Sequence, residues 1–228
     1  MKGAQLSLGI ADVGQAPAAA EPACEHLAPG AVLLRGFALA DICLLLSDLD
    51  AVFAAAPLRQ MSTPGGLRMS VAMTSCGALG WVSDRAGYRY SATDPDSGRR
   101  WPALPASFLQ LAQAAARRAG FADFVPDSCL LNRYLPGCKL SLHQDKDERD
   151  FSAPIVSVSL GPPAVFLFGG PARSDRPARH PLRHGDVAVW GGPARLHYHG
   201  IAPIKPADFA PDPRLDGCRI NLTLRRAG

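Results

Sequence analysis

The chain has 228 residues, a length that suits one domain with added loops better than two domains. Hydrophobic residues make up 47% and charged residues 19%, which supports a sizeable core and excludes global disorder. The 24 Lys and Arg against 20 Asp and Glu give +4, a mild bias toward an anionic partner, and no apolar run reaches the ~18 residues of a membrane span.

Residues 1–30 are rich in Ala, Pro and Gly, lack periodicity, and are expected to form a loosely ordered arm. Lys2 and the APAAA stretch hint at a secretory leader, but Gln5, Ser7 and Asp12 interrupt any apolar segment. The cysteines (Cys24, Cys43, Cys76, Cys129, Cys138, Cys218) are scattered without a CxxC pair. Free thiols in a reducing cytoplasm fit that pattern better than a zinc knuckle or a disulfide framework.

The domain proper is expected over 31–228. A short strand, Ala31 to Phe37, precedes a helix opened by Asp41 as N-cap. In that helix Ile42, Leu45, Leu46, Leu49, Val52 and Phe53 recur at helical spacing, and Pro57 follows its end. A second helix is expected from Pro105 to Ala119, with Phe108, Leu111 and Ala115 on one face and Gly120 as its stop. Between them, 58–104 holds TPGG, the aromatics Trp81, Tyr88 and Tyr90, and the turn-rich DPDSGRRWP. This segment is too polar for a core and too aromatic for a linker, so it reads as hairpins and loops covering a site.

From residue 128 onward the period changes. SCLLNRYL, KLSLH, APIVSVSL, AVFLFGG, DVAVWGG, RLHYHGI and CRINLTLR are short, alternating or apolar, and mostly separated by Gly or Pro. With 22 glycines and 21 prolines in the chain, these segments imply an α+β, mainly β domain whose core, 128–228, is a sandwich or jelly roll.

His143-Gln144-Asp145 follows the strand-like KLSL, and positions i and i+2 of a strand share a face. His199, in RLHYHG, is a candidate third ligand, with His197 as its rival. Two histidines and one carboxylate can occupy one face of an octahedral iron(II) and leave positions for a co-substrate and oxygen. A second HxD, His184-Gly185-Asp186, sits at a glycine turn entering a strand and reads as turn chemistry.

Arg219, Asn221, Thr223 and Arg225 share one face of the last strand, opposite Ile220, Leu222 and Leu224. Inward arginines are costly unless they meet carboxylates, so this face suits a dicarboxylate ligand or internal salt bridges. Asn132 and Tyr134 alternate on another strand and can donate to the same ligand.

The stretches RQMSTPGG, MSVAMTSCGALGW, YRYSATDP, LLNRYLPGCKLSLHQDKDE, APIVSVSLG, FLFGG, HGDVAVWGG, YHGI and RINLTLR closely resemble the AlkB family of Fe(II)/2-oxoglutarate-dependent dioxygenases. The resemblance covers the chain from about Ala31 to the end. It implies a double-stranded β-helix, with 58–104 as a nucleotide-recognition lid. It also implies iron held by His143, Asp145 and His199, which decides against His197. The 2-oxoglutarate contacts it implies are Asn132, Arg133, Tyr134, Arg219, Asn221 and Arg225, with Arg219 on the distal carboxylate and Arg225 nearer the keto-acid end. The implied substrate contacts are Trp81, Tyr88, Arg89, Tyr90, Asp147, Arg173, Thr63 and Met73. Leu67 and Arg68 depart from the family pattern, which has a Tyr first, and the loop DFAPDPRLDG before Arg219 is slightly longer.

The activity implied is oxidative demethylation of bases such as 1-methyladenine and 3-methylcytosine in DNA, preferably single-stranded, with duplex DNA and RNA as further substrates. Fe(II), 2-oxoglutarate and O2 are consumed or used, and succinate, CO2 and formaldehyde leave. Trp81 offers a π-face to an extruded or cationic base, and Asp147 favours its positive charge. PARSDRPARHPLRH, with Arg173, Arg176, Arg179 and Arg183 against Asp175, can run beside phosphates. The expected protein is a cytoplasmic monomer without a membrane association or an obligate protein partner. The alternatives are a 2-oxoglutarate oxygenase of proteins or small molecules and a non-catalytic jelly-roll module that binds nucleic acid.

Overall fold

The computed structural model describes residues 23–207, 210–215 and 217–228. β1 (Cys24–Ala28) and β2 (Ala31–Leu34) form an antiparallel pair at the edge of the larger sheet. Part of the stretch expected to be an arm, Cys24–Ala28, is thus a strand. Its backbone is satisfied by the β2 ladder, and Glu25 meets Arg35 at 2.7 Å. Residues 1–22 of that arm lie outside the described residues.

α1 (Ile42–Ala55) follows a short 3-10 turn. Asp41 sits at its N-cap position, but its side chain makes no cap hydrogen bond, contrary to expectation. α2 (Ala106–Arg118) ends as expected before Gly120, whose φ of +92° suits a residue without a Cβ. The buried faces of both helices pack together against the outer face of the larger sheet.

That sheet runs β1-β2-β11-β8-β13-β6-β3 and adds to the first pair β3 (Ala72–Gly77), β6 (Ser128–Tyr134), β8 (Ile155–Leu160), β11 (Val187–Trp190) and β13 (Arg219–Arg225). A four-stranded antiparallel sheet, β10-β9-β12-β7, combines β7 (Leu140–His143), β9 (Ala164–Phe168), β10 (Ala178–Leu182) and β12 (His199–Ile201). β4 (Gly80–Asp84) and β5 (Gly87–Ser91) make a separate hairpin. The expected double-stranded β-helix is therefore present.

The period-2 rule sorts the interior. Val156, Val158, Leu160, Ile220, Leu222 and Leu224 face the helices, each fully buried apolar side chain contributing about 1.5–3 kcal/mol. The opposite faces of the same strands carry Ser157, Ser159, Arg219, Asn221, Thr223 and Arg225, all buried. One sheet thus presents an apolar face to the helices and a polar face to the second sheet, where the site lies.

Two segments differ from the sequence reading. The expected lid gives up Ala72–Gly77 to the larger sheet as β3, because its backbone pairs with β6 from Ser128 to Arg133. Within the basic stretch PARSDRPARHPLRH, Ala178–Leu182 forms the edge strand β10, where Pro181 is tolerated because an edge needs only one ladder. No helix among the described residues is long and apolar enough to cross a membrane.

Candidate metal and 2-oxoglutarate site

His143 ends β7 and His199 opens β12, and the antiparallel register sets the two residues directly opposite each other. Their rings lie 4.4 Å apart. Close approach of these strands depends on Gly200, where a Cβ would fall 2.6 Å from the Leu140 carbonyl oxygen. Asp145 does not share a strand face with His143, as the HxD spacing suggested, because β7 stops at His143. The loop brings its carboxylate to 3.5 Å from His143 Nε2 and 3.7 Å from His199 Nε2. One ligand atom from each residue lies within 4.8 Å of the others.

The tautomers are set by backbone carbonyls. His143 Nδ1 lies 2.9 Å from Ser141 O and His199 Nδ1 lies 3.0 Å from His197 O, so each Nδ1–H donates outward and each Nε2 faces the shared space. Burial, with the neighbouring His143, lowers the His199 pKa to about 4, which keeps it a neutral ligand at pH 7. Burial works against the charged form of Asp145, but Arg225 and the two histidines outweigh it and hold the carboxyl well below its usual range. An open set of two imidazoles and one carboxylate fits iron(II) with vacant positions.

His197 contributes its carbonyl rather than its ring, which packs 5.5 Å from Phe168. The second HxD is turn chemistry: His184 Nδ1 accepts from Gly161 N–H, and Asp186 accepts from the backbone of Gly36 and Arg183.

Beside the triad, a cavity of about 700 Å³ is lined by Asn132, Tyr134, Asn221, Thr223 and Arg225. Arg219 lies on the same strand face, paired with Tyr134 across the ladder. It is 0% exposed; Nη2 donates to Ser159 Oγ at 2.8 Å, while Nε and Nη1 have no acceptor among the described residues. Burial lowers its pKa to about 10, the signature of a cation lacking its counter-charge. Orphaned donors on a buried guanidinium fit one carboxylate of a dicarboxylate such as 2-oxoglutarate. Arg225 instead already meets acids, Asp145 at 2.6 Å and Glu148 at 3.3 Å.

Arg133 does not join this group. Strand alternation turns it to the other face of β6 from Asn132 and Tyr134, and it lines a separate groove.

At the mouth, Thr63, Met73, Trp81, Tyr88, Asp147 and Arg173 all line the cavity. Trp81 and Tyr88 stack with centroids 5.6 Å apart and planes inclined by 13°, and Trp81 Nε1 donates to Asp147 Oδ2 at 2.8 Å. Arg173 donates to the Leu142 carbonyl at 3.1 Å. Tyr90 and Arg89 do not line the cavity. Tyr90 donates to Glu148 at 2.7 Å behind the hairpin, and Arg89 pairs with Asp84 within it.

Sequence reasoning missed Glu148 and Arg195. Glu148 is buried and receives Tyr90, Arg195 and Arg225. Arg195 also donates to the Asp145 carbonyl at 2.8 Å. Glu148 lies within the HQDKDE motif, but nothing local to that motif shows that its side chain is buried.

The sequence profile described as the 2OG-Fe(II) oxygenase superfamily matches residues 30–225. The chain is 58% identical over 209 residues to "Alpha-ketoglutarate-dependent dioxygenase AlkB" of Escherichia coli (strain K12), covering 92% of this chain and 95% of that protein. It is 45% identical over 192 residues to the AlkB homolog of Caulobacter vibrioides (strain NA1000 / CB15N), covering 83% and 84%. The solved structure of OsALKBH1 superposes with a TM-score of 0.76 at 31% identity, covering 90% of this chain and all of that one. The triad, the dicarboxylate-ready arginine and these similarities agree: the chain belongs to the 2OG-Fe(II) oxygenase superfamily and is a dioxygenase that uses Fe(II), 2-oxoglutarate and O2.

Proposed function

We propose that the enzyme oxidatively demethylates N-alkylated bases, 1-methyladenine and 3-methylcytosine among them, in DNA. Single-stranded DNA is the preferred form, with duplex DNA and RNA as further substrates. The observation that carries this reading is the pairing of Trp81 with Asp147 at the mouth of the cavity that ends at the triad. An aromatic face and a carboxylate suit a flat base that carries a positive charge, and both sit on the route to His143.

When bound, Fe(II) with 2-oxoglutarate and O2 supplies the oxidation of the N-methyl carbon, with succinate, CO2 and formaldehyde as products. His143, Asp145 and His199 are assigned to the metal. Arg219 is assigned to the distal carboxylate of 2-oxoglutarate, with Asn132, Tyr134 and Asn221 beside it. Arg225 holds the Asp145 carboxylate in place, and Arg195 holds its backbone. Trp81 and Tyr88 hold the base, Asp147 favours its cationic form, and Thr63, Met73 and Arg173 line its entry. The apolar lower wall, with Phe166 and Trp190, excludes water from the reacting carbon. Among the described residues the aromatic and cationic rim has no helix, which favours an extruded or single-stranded base. The enzyme is assigned to the cytoplasm as a monomer, a placement that its free cysteines suit.

The test is a single-stranded oligonucleotide carrying one 1-methyladenine, incubated with Fe(II), 2-oxoglutarate and O2. Loss of one methyl by mass spectrometry, matched by succinate, is the expected result. Succinate without demethylation would redirect the search to protein or small-molecule substrates.

A further inference from the structure

Arg68 and Ser70 line both the catalytic cavity and a second groove of about 500 Å³. The charged lining of this groove is Arg59, Arg68, Arg133 and Asp96. Arg59 is already neutralised. It meets Asp94 at 2.5 Å and Asp96 at 2.8 Å, and lies 5.6 Å from the centroid of the Trp101 ring. Both nearby acids are thereby engaged.

Arg68 and Arg133 have no carboxylate partner among the described residues, and Arg133 Nε is buried without any acceptor. Arg133 is held there by the β6 ladder, with Ala72 and Ile220 as its neighbours in register. Arg68 is fixed by a backbone bridge to Ser62, close to the turn in which Thr63 Oγ1 accepts from Leu67 N–H at 3.1 Å. Leu67 beside it is 74% exposed at the cavity rim. Two guanidinium groups, one on β6 with an orphaned donor and one on a loop pinned by an isolated bridge, therefore line one groove that adjoins the base cavity. Such a fork suits an anion with several acceptor oxygens.

We propose that this groove binds a phosphodiester of the same strand whose alkylated base enters the catalytic cavity. The inference rests on the nucleic-acid reading above and adds the direction in which the strand leaves the site. Arg68, at the shared rim, takes the first phosphodiester beyond the alkylated nucleotide's own 5′ phosphate, and Arg133 draws the following stretch along β6.

The experiment compares wild type, Arg68→Ala and Arg133→Gln on 1-methyldeoxyadenosine 5′-phosphate and on a single-stranded decamer carrying one 1-methyladenine, across a salt series. For Arg68→Ala the KM for the decamer rises about fivefold to tenfold, and the slope of log KM against log salt falls by about one. Its kinetics on the mononucleotide stay as in wild type. Arg133→Gln shows the same pattern with a smaller rise. Unchanged decamer KM and salt slope in both variants would overturn the groove while wild-type turnover upholds the nucleic-acid reading. Equal losses on the mononucleotide would assign the groove to free phosphate and overturn the strand path. A wild type inactive on both substrates would remove the reading itself, and the groove assignment with it.

Discussion

Arg225 sets its Nη2 2.6 Å and its Nε 2.9 Å from Oδ2 of Asp145, so the final strand of the larger sheet holds a carboxylate of the metal triad. Both residues are buried, and breaking a buried pair from one side leaves an uncompensated charge that costs about 3–5 kcal/mol. Arg225→Ala is expected to destabilise the metal-free protein by that order. A divalent cation at the triad restores positive charge beside Asp145, so saturating Mn(II) narrows the gap between variant and wild type. Thermal unfolding with and without Mn(II) measures both, and an equal gap in the two conditions contradicts the role.

Arg219 gives the sharpest ligand prediction. Its Nε and Nη1 are buried without acceptors among the described residues, so a bound carboxylate gains charge-assisted hydrogen bonds worth about 1.5–3 kcal/mol. Arg219→Ala therefore raises the KM for 2-oxoglutarate about 10- to 150-fold. Arg133→Gln, on the far face of β6, leaves that KM unchanged. Steady-state succinate formation at varied 2-oxoglutarate separates the two residues, and a shared rise would place Arg133 in the ligand site after all.

This contrast shows how much of the site the sequence carried. The polar face of β13 was legible because strand alternation alone separates Arg219, Asn221, Thr223 and Arg225 from Ile220, Leu222 and Leu224. The same rule excludes Arg133, which shares a motif with Asn132 and Tyr134 but not a face. His143 and His199 were legible as ligand types, yet only the β7–β12 register sets them opposite each other. Asp145 shows the limit of local spacing, since the strand ends before it and a distant arginine supplies its orientation. Glu148 and Arg195 were hidden because burial of a charged residue depends on partners far along the chain. β1 and β10 were missed because edge strands bury little and carry the charge and proline that mark loops.

Trp81 is predicted to govern the base and not the co-substrate. Stacking of a base on an aromatic ring is worth about 1–3 kcal/mol, which corresponds to about fivefold to 150-fold in affinity. Trp81→Ala raises the KM for a methylated oligonucleotide within that range and leaves uncoupled 2-oxoglutarate decarboxylation intact. Trp81→Phe retains the ring but loses the hydrogen bond to Asp147, so it falls between the two. Paired assays of demethylation and substrate-free succinate formation check this, and equal losses in both contradict a stacking role.

Tyr90 joins the hairpin to the metal site without lining the cavity. Its hydroxyl donates to Glu148 at 2.7 Å, and Glu148 in turn meets Arg225 and Arg195, which hold the side chain and backbone of Asp145. The hairpin that carries Trp81 is thus tied to the strand that carries a metal ligand. Tyr90→Phe removes one hydrogen bond and leaves a buried carboxylate with one donor fewer, at a cost of about 1–3 kcal/mol. Arg195 and Arg225 still neutralise Glu148, so the metal site persists while the hairpin loosens. The expected result is a higher KM for the methylated oligonucleotide with an unchanged KM for 2-oxoglutarate and an unchanged Mn(II) thermal shift. A loss of the Mn(II) shift in Tyr90→Phe would instead mean that the hairpin supports the triad itself.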